Sequence, residues 1–209
     1  MDRYQETFNT WDKVADIYEE RFMGLTLYDQ SYDHFCNLLD VPSAKLLDVG
    51  CGPGNITKYI LSKRADFGVL GIDISPNMLA LAKKNNPSAS FSLLDCRNID
   101  RLNTNFDGII SGFCLPYLSS NDCSKFFKDC YNLLNENGLL YISFVSGEKN
   151  NSGYQVRSTG DRIYFYYHEL DIILSQLSES FYKVEITSNV EYLNRENEIE
   201  IHTIIFGRK

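Results

Sequence analysis

The stretch K-L-L-D-V-G-C-G-P-G-N, residues 45–55, decides the fold. Leu46, Leu47 and Val49 form a short apolar run that is typical of a buried strand. Three glycines follow at alternate positions, and glycine lets the chain turn sharply and lets a ligand lie against bare backbone. Residues 56–62 then have a helical pattern, and a helix N-terminus offers free N–H groups. The sequence therefore predicts a strand, a glycine loop and a helix that form a nucleotide-binding unit.

The spacing of these glycines is G-x-G-x-G, which differs from the G-x-G-x-x-G fingerprint of dinucleotide-binding proteins. Asp48 ends the strand, where a carboxylate suits a ligand that carries an amine. D-x-G-x-G-x-G resembles the first motif of the class I S-adenosylmethionine-dependent methyltransferases. The resemblance implies S-adenosylmethionine as cofactor, with Asp48 near its amino group and Gly50, Cys51 and Gly52 under its methionine and ribose. On this string alone, a glycine turn in another α/β protein is the alternative.

A second carboxylate follows the next apolar run, residues 69–74. Asp73 lies about 20 residues after the glycine loop, the position of an acidic residue that accepts hydrogen bonds from ribose hydroxyls. The alternative is that Asp73 only stabilises the following turn. G-I-D-I-S-P-N-M-L resembles the second motif of the family, which implies that Ile74 and Met78 flank the adenine.

Two further strand ends carry candidate cofactor residues. Residues 89–94 precede Asp95 and Cys96, and by resemblance to the third strand of the family these two meet the adenine ring; a plain surface aspartate is the alternative. F-D-G-I-I-S, residues 106–111, resembles the fourth-strand motif, so Phe113 just beyond it is a candidate cofactor contact. Many relatives have paired histidines in this loop, but this chain has Pro-Tyr, so no histidine base can be transferred by resemblance.

The N-terminal 40 residues show helical spacing and no strand signal, which predicts two helices before the first strand. W-x-x-V-A-x-x-Y resembles the N-terminal segment of small-molecule methyltransferases, where such helices cover the cofactor. Tyr18 is the candidate that faces the cofactor; the alternative is that the aromatic side chains of this segment simply pack on the sheet. We therefore expect one domain, 1–209, with a helical lid at 1–40 and a Rossmann-like core at 41–209.

R-I-Y-F-Y-Y-H, residues 162–168, is the most aromatic stretch of the chain, and its alternation predicts an extra strand. Tyr166 and Tyr117 are the predicted substrate-facing residues; the alternative is that the aromatic side chains here are core or edge-strand residues. His168 and Tyr117 are weak catalytic candidates, because a neutral histidine near pH 7 can act as a base. His34 and His202 are interpreted as structural or exposed.

The whole pattern predicts an α/β fold: a doubly wound, mostly parallel seven-stranded sheet with helices on both faces. The last two strands, residues 181–187 and 198–206, form by family resemblance an antiparallel hairpin at one edge. The net charge of −8 in 209 residues argues against a nucleic-acid surface, which is normally basic. The first residues, M-D-R-Y-Q-E-T-F, do not resemble an export signal, and no apolar run approaches membrane-spanning length.

Six cysteines without a C-x-x-C motif are expected to be reduced thiols rather than disulfides or metal ligands. We therefore expect no bound metal and a cytoplasmic protein. The expected oligomeric state is a monomer or a homodimer. The resemblance implies transfer of an activated sulfonium methyl to a small-molecule acceptor by in-line displacement, largely through positioning, with S-adenosylhomocysteine as product. The alternatives are a cofactor-binding protein that transfers nothing, a nicotinamide-dependent oxidoreductase, and a protein methyltransferase. The acceptor and its accepting atom stay open.

Overall fold

The computed structural model describes residues 2–156, 159–193, 197 and 199–209. The helices are α1 (Arg3–Lys13), α2 (Ala15–Phe22), α3 (Asp29–Leu38), α4 (Asn55–Lys63), α5 (Pro76–Asn85), α6 (Ser120–Leu133) and α7 (Leu170–Ser178). The strands are β1 (Lys45–Val49), β2 (Gly68–Asp73), β3 (Ser90–Leu93), β4 (Phe106–Gly112), β5 (Leu134–Val145), β6 (Gly153–Val156), β7 (Arg162–Phe165), β8 (Lys183–Leu193) and β9 (Ile199–Arg208).

Seven of these strands form one sheet in the order β3-β2-β1-β4-β5-β9-β8. The first five are parallel, whereas β9 runs antiparallel to β5 and β8 antiparallel to β9. The predicted seven-stranded, mostly parallel sheet with a C-terminal antiparallel hairpin is confirmed; the predicted first residue of the last strand, Glu198, lies outside the described residues. The aromatic stretch forms β7, which pairs with β6 in a separate two-stranded sheet.

Alternation along the central strands divides the core between the two faces of the large sheet. Leu47 and Ile109 belong to the cluster that packs against α6 and α7. Their neighbours in sequence, Leu46 and Ile110, belong to the cluster that packs against α3 and α4. None of the four is more than 1% exposed, so helices cover both faces of the sheet as predicted.

The segment before β1 forms three helices rather than the predicted two. The first predicted helix is interrupted at Val14 (φ −100°, ψ 16°), which separates α1 from α2. α3 buries Tyr32 and Phe35 in the cluster that lies between the sheet and the helices α3 and α4. It is therefore part of the core. α1 and α2 lie outside this cluster, and the Asn85 side chain of α5 donates to Glu19 of α2. The predicted lid, 1–40, thus includes a core helix, and the lid role of α1 and α2 stays a prediction.

All six cysteines are free thiols. Five are buried and Cys96 is half-buried. The neighbouring Cys114 thiol, together with burial, raises the pKa of Cys96 well above its usual range. The thiols therefore act as packing side chains of the core.

Candidate functional site

A cavity of about 850 Å³ opens at the carboxyl ends of β1, β4 and β5. The backbone of Gly50–Gly52 forms one part of its wall. The rest of the wall comes from the helices α1 to α4, the loop after β4 and the strands β5 to β9. Most of the side chains in it are aromatic or apolar. Because the ligand edge of a doubly wound sheet lies at its carboxyl ends, this cavity is the candidate site.

The glycine loop has backbone conformations that residues with a side chain rarely adopt. Gly50, Gly52 and Gly54 have φ of +66°, +53° and +82°, all in the left-handed region that favours glycine. The Cys51 amide donates to the Ile72 carbonyl at 2.9 Å, which fixes the loop to the neighbouring strand β2. A Cβ on Gly52 would lie 3.7 Å from the ring of Tyr18, so this ring faces the loop from α2.

Asp48 lies beneath this loop and is 2% exposed. The Thr57 hydroxyl on α4 donates to its Oδ2 at 2.6 Å. Its Oδ1 is buried, and no group in the described part of the chain donates to it. Burial, partly offset by the Thr57 hydrogen bond, raises the pKa of Asp48 to about 6. The Oδ1 oxygen therefore has no partner in the described chain, but Asp48 does not itself line the cavity, so its predicted contact with the amino group of the cofactor stays a prediction.

Asp73, at the end of β2, connects the glycine loop to the turn before α5. Its Oδ2 accepts from the Gly52 amide and its Oδ1 from the Ser75 amide, both at 2.9 Å. Burial raises its pKa, and these backbone hydrogen bonds oppose the rise. Asp73 thus stabilises the turn after β2, which is the role that the alternative interpretation gave it. Each carboxylate oxygen keeps a second lone pair, so the predicted ribose contact stays a prediction.

Asp95 forms an ion pair with Arg97 and also accepts from the Arg97 amide. The Arg97 guanidinium lies over the Tyr4 ring of α1, 4.0 Å from its centroid. Neither Asp95 nor Cys96 lines the cavity. Their predicted contacts with adenine therefore stay a prediction, and the structure assigns Asp95 a local role at the start of the turn after β3.

The C-terminal end of α1 lies against the turn between β2 and α5. Asp12 Oδ1 accepts from the Ser75 hydroxyl at 2.6 Å and from the Asn77 amide at 3.0 Å. The predicted adenine neighbours Ile74 and Met78 adjoin these two residues in sequence, and neither lines the cavity. In this structure α1 therefore closes the side of the site where an adenine is predicted.

Aromatic rings in edge-to-face contact form the opposite wall. Trp11 contacts both Tyr18 and Tyr117 at 5.6 Å between ring centroids. Tyr117 contacts Phe165, which in turn contacts Tyr167. All five residues line the cavity, so two of the predicted site residues, Tyr18 and Tyr117, are brought together by Trp11.

Phe113 contributes to the wall through an unusual backbone conformation. It has φ of +56°, although it is not a glycine. Its amide donates to the Ser143 carbonyl at 3.0 Å, which fixes the peptide to β5. Its ring lies 5.2 Å from Tyr28 and 4.8 Å from His202, measured between centroids. Phe113 therefore contacts a polar group on β9 and lines the same cavity as the glycine loop.

Two substrate-side predictions need correction. Tyr166 points away from the cavity, toward Tyr4 and Tyr164, because Phe165 takes the inward position in β7. Phe165 and Tyr167 are therefore the cavity-lining pair.

His168 is also displaced from the site. It is buried, and its Nε2 donates to the Leu115 carbonyl at 3.0 Å. Burial lowers the pKa of its imidazole. It does not line the cavity, so in this structure it connects the segment after β7 to the loop after β4 instead of facing an acceptor.

His202 is the residue that the sequence interpretation missed. It is 5% exposed, lines the cavity, and its Nδ1 lies 2.6 Å from the Tyr28 hydroxyl. It pairs with Val145 at the carboxyl end of β5. One signal was available: an antiparallel last strand must begin at the same edge at which the parallel strands end. That geometry brings the first residues of β9 to the ligand edge.

Comparisons with known proteins agree with this arrangement. A family model described as "Methyltransferase domain" matches residues 46–138. A protein of Invertebrate iridescent virus 6 named as methyltransferase 235L is 34% identical over 145 residues, 69% of this chain and 52% of its own. Malonyl-[acyl-carrier protein] O-methyltransferase of Priestia megaterium is 28% identical over 148 residues, 69% of this chain and 51% of its own.

The chain belongs to the class I S-adenosylmethionine-dependent methyltransferase family. The magnesium protoporphyrin IX methyltransferase of Synechocystis PCC 6803, crystallised with bound SAM, has the same fold: the TM-score is 0.70 at 16% identity, covering 99% of this chain and 98% of that one. Membership of this family identifies the G-x-G-x-G loop as a methyltransferase motif and excludes the alternative of a nicotinamide-dependent oxidoreductase.

The methyltransferase chain spans about half the length of these two curated relatives. None of its helices, in the part of the chain that the structure describes, combines the length and apolar character needed to cross a membrane. Within the same residues, no cluster of three or more His, Cys, Asp or Glu side chains could hold a metal ion.

Proposed function

We propose that the protein binds S-adenosylmethionine and transfers its methyl group to a small-molecule acceptor in the aromatic part of the cavity. The observation that carries this proposal is the continuity of the cavity, which joins Gly50–Gly52 to the wall formed by Trp11, Tyr117 and Phe165. Small-molecule sites have mostly apolar walls with a few placed polar groups, and this cavity has that composition.

The residues of the glycine loop fit the cofactor. The unpartnered Oδ1 of Asp48 supplies an acceptor for an amino group, directly below a loop whose glycines leave the backbone uncovered. Gly50, Cys51 and Gly52 would hold the methionine and ribose, and Asp73 would accept from the ribose hydroxyls. When bound, the cofactor supplies a methyl group that is already activated on a sulfonium.

The contribution of the chain is then mostly positional. Tyr18 and Phe113 would contact the cofactor, and Tyr117 would orient the acceptor toward the methyl group, which must be attacked in line with the departing sulfur. Holding two reactants in the reactive geometry can lower a barrier by roughly 7–11 kcal/mol. The aromatic wall also keeps water from the acceptor side.

Calorimetric titration with S-adenosylmethionine, S-adenosylhomocysteine and NAD tests cofactor choice. We expect heat from the first two and none from NAD. Gly52→Ala should weaken binding, because its Cβ strains a left-handed backbone beside Tyr18. Gly160→Ala is the matched control, since Gly160 also has a positive φ but has open space around it and does not line the cavity.

A thermal-shift screen of small molecules with S-adenosylhomocysteine present then identifies acceptors, and mass spectrometry measures the added methyl group. NAD binding without heat from S-adenosylmethionine would reject the proposal. Cofactor binding without transfer to any small molecule would instead support a binding protein or a protein methyltransferase.

A further inference from the structure

We propose that Tyr28 and His202 remove the proton of the acceptor, and that the acceptor is therefore a small aromatic molecule methylated on a phenol-type hydroxyl oxygen. This inference rests on the proposed function and deepens it by naming the accepting atom. It is based on a pair of hydrogen-bonded side chains in the cavity wall and on the charges around them.

The pair has a geometry suited to moving a proton. The Tyr28 hydroxyl lies 2.6 Å from Nδ1 of His202, and Nε2 of the same ring lies 3.4 Å from Oε2 of Glu200. In the neutral tautomer with hydrogen on Nε2, Tyr28 donates to Nδ1 and the Nε2–H points at the Glu200 carboxylate. With a second proton on Nδ1, the Nδ1–H would donate to the Tyr28 oxygen while the Nε2–H still points at the Glu200 carboxylate.

The pair faces the same cavity as the glycine loop. Tyr28, His202 and Glu200 all line it, together with Gly50 and Gly52. The Phe113 ring contacts both members of the pair and lines the same cavity. An acceptor that fills this cavity can therefore reach Tyr28 with one atom while it faces the glycine loop.

Several elements surround His202, and they bring one carboxylate and one guanidinium to its part of the cavity. Tyr28 comes from the residue before α3, and Tyr192 of β8 stacks on the imidazole at 4.9 Å between centroids. Glu200 lies on the same strand as His202. Arg21 of α2 donates to the Tyr192 hydroxyl at 3.1 Å and lines the cavity. β5 and β8 place apolar Val145 and Val190 opposite His202.

These surroundings select among acceptor classes. A carboxylate acceptor arrives without a proton, so it would need no base. A phenol-type hydroxyl suits the site, because its ring can pack on Trp11 and Phe165 and its oxygen carries a proton that the pair can take.

The proton transfer is balanced in the following way. The acceptor hydroxyl donates to the Tyr28 oxygen while the Tyr28 proton moves to Nδ1 of His202. The acceptor oxygen forms one bond to the methyl carbon as the carbon–sulfur bond breaks, and the sulfur keeps that electron pair as a neutral thioether. The positive charge that began on the sulfonium ends on the His202 imidazolium, which then loses a proton to solvent.

The probe for this step is 4-nitrophenol, because its ionised form absorbs at a longer wavelength than its neutral form. Its absorbance is followed against pH, with the protein in excess, with and without S-adenosylhomocysteine. We expect the bound probe to ionise about one pH unit lower than the free probe. His202→Gln, which keeps a polar partner for Tyr28 but cannot take a proton, should abolish that shift while the probe still binds.

Tyr28→Phe is the second variant, and it should abolish the shift independently. Exposed His34→Gln and exposed Tyr182→Phe are matched controls that should keep it. In the unaltered protein, the ¹⁵N signals of His202 should also move toward the imidazolium position when the probe is added. This measurement does not depend on the folding of any variant.

The inference is overturned if the probe fails to bind, if it binds with the midpoint of the free probe, or if His202→Gln keeps the shift. Absence of S-adenosylhomocysteine binding would reject the proposed function alone, because ionisation of the probe is also read in the ligand-free protein.

Discussion

The buried carboxyl of Asp48 shows how one residue can combine a cost in stability with a role in binding. Its raised pKa of about 6 means that the ionised form is less favourable in the folded chain than in the unfolded one. Its contribution to stability is therefore fully present below the ordinary carboxyl pKa of 3.8 and is lost as the pH rises through about 6. A bound ammonium group would reverse that preference, because it stabilises the ionised form.

This linkage predicts that S-adenosylhomocysteine binds more weakly as the pH falls through about 6, since Asp48 then becomes protonated. Asp48→Asn should weaken binding at neutral pH and remove the pH dependence in this range. Isothermal titration at a series of pH values measures both effects, with the exposed Asp40→Asn as the control that keeps the wild-type profile. A wild-type affinity that is constant across this range would show that the amino group does not contact Asp48.

At the scale of single elements, α1 and β7 are joined by threonine side chains. Thr7 Oγ1 accepts from the Tyr164 amide at 2.9 Å, and Thr10 Oγ1 donates to the Arg162 carbonyl at 2.8 Å. Both hydroxyls thus satisfy backbone groups on the edge of the small β6–β7 sheet. Ion pairs from Glu6 to Arg162 and from Lys13 to Asp161 flank them. Helix α1 and the small β6–β7 sheet therefore act as one unit over the site.

Replacement of Thr7 by valine, which has nearly the same shape, should leave the Tyr164 amide without its acceptor. Loss of one hydrogen bond, about 1 kcal/mol, should speed hydrogen exchange at that amide roughly fivefold. Thr26→Val, at an exposed position before α3, is the matched control. Mass spectrometry of the peptide that contains Tyr164 reads the difference, and equal exchange in the two variants would contradict the assigned contact.

At the scale of the whole molecule, the core and the covering helices are separate. The two large buried clusters on the faces of the sheet contain no residue of α1 or α2. These helices instead contribute Trp11 and Tyr18 to the cavity wall. Removing residues 1–22 should therefore leave a chain that still folds around its sheet.

The truncated chain should show a cooperative melt but bind S-adenosylhomocysteine at least roughly tenfold more weakly, because it lacks the Tyr18 ring over Gly52. Differential scanning calorimetry and titration calorimetry measure the two properties. Tyr18→Ala in the full-length chain separates the contribution of the ring from that of the helices. Full affinity in the truncated chain would mean that α1 and α2 are packing elements only.

The strands that follow one another along the chain and the glycine loop could be predicted because their signals are local. Apolar runs that end in Asp48 and Asp73, with a glycine spacing between them, identify two neighbouring strand ends without any long-range information. The interruption at Val14 could not be predicted in the same way, because neither proline nor glycine marks it.

The errors at the site come from contacts between distant parts of the chain. Alternation showed that either Tyr166 or Phe165 faces the cavity, but the choice depends on the packing of β7 against α1 and β5. Likewise, His202 pairs with Tyr28 across 174 positions of sequence. No local pattern reports such a pair, although the antiparallel direction of β9 indicates which of its ends meets the cavity.

The burial of the thiols has a practical consequence for labelling. Burial raises the pKa of Cys36 to about 11 and that of Cys51 and Cys130 well above the usual range, so these thiols are poor nucleophiles for maleimides. A cysteine introduced at Val156 on β6, a position that is 73% exposed, should react first. A fluorophore at that site would report the position of the small β6–β7 sheet over the cavity. No native cysteine would have to be removed.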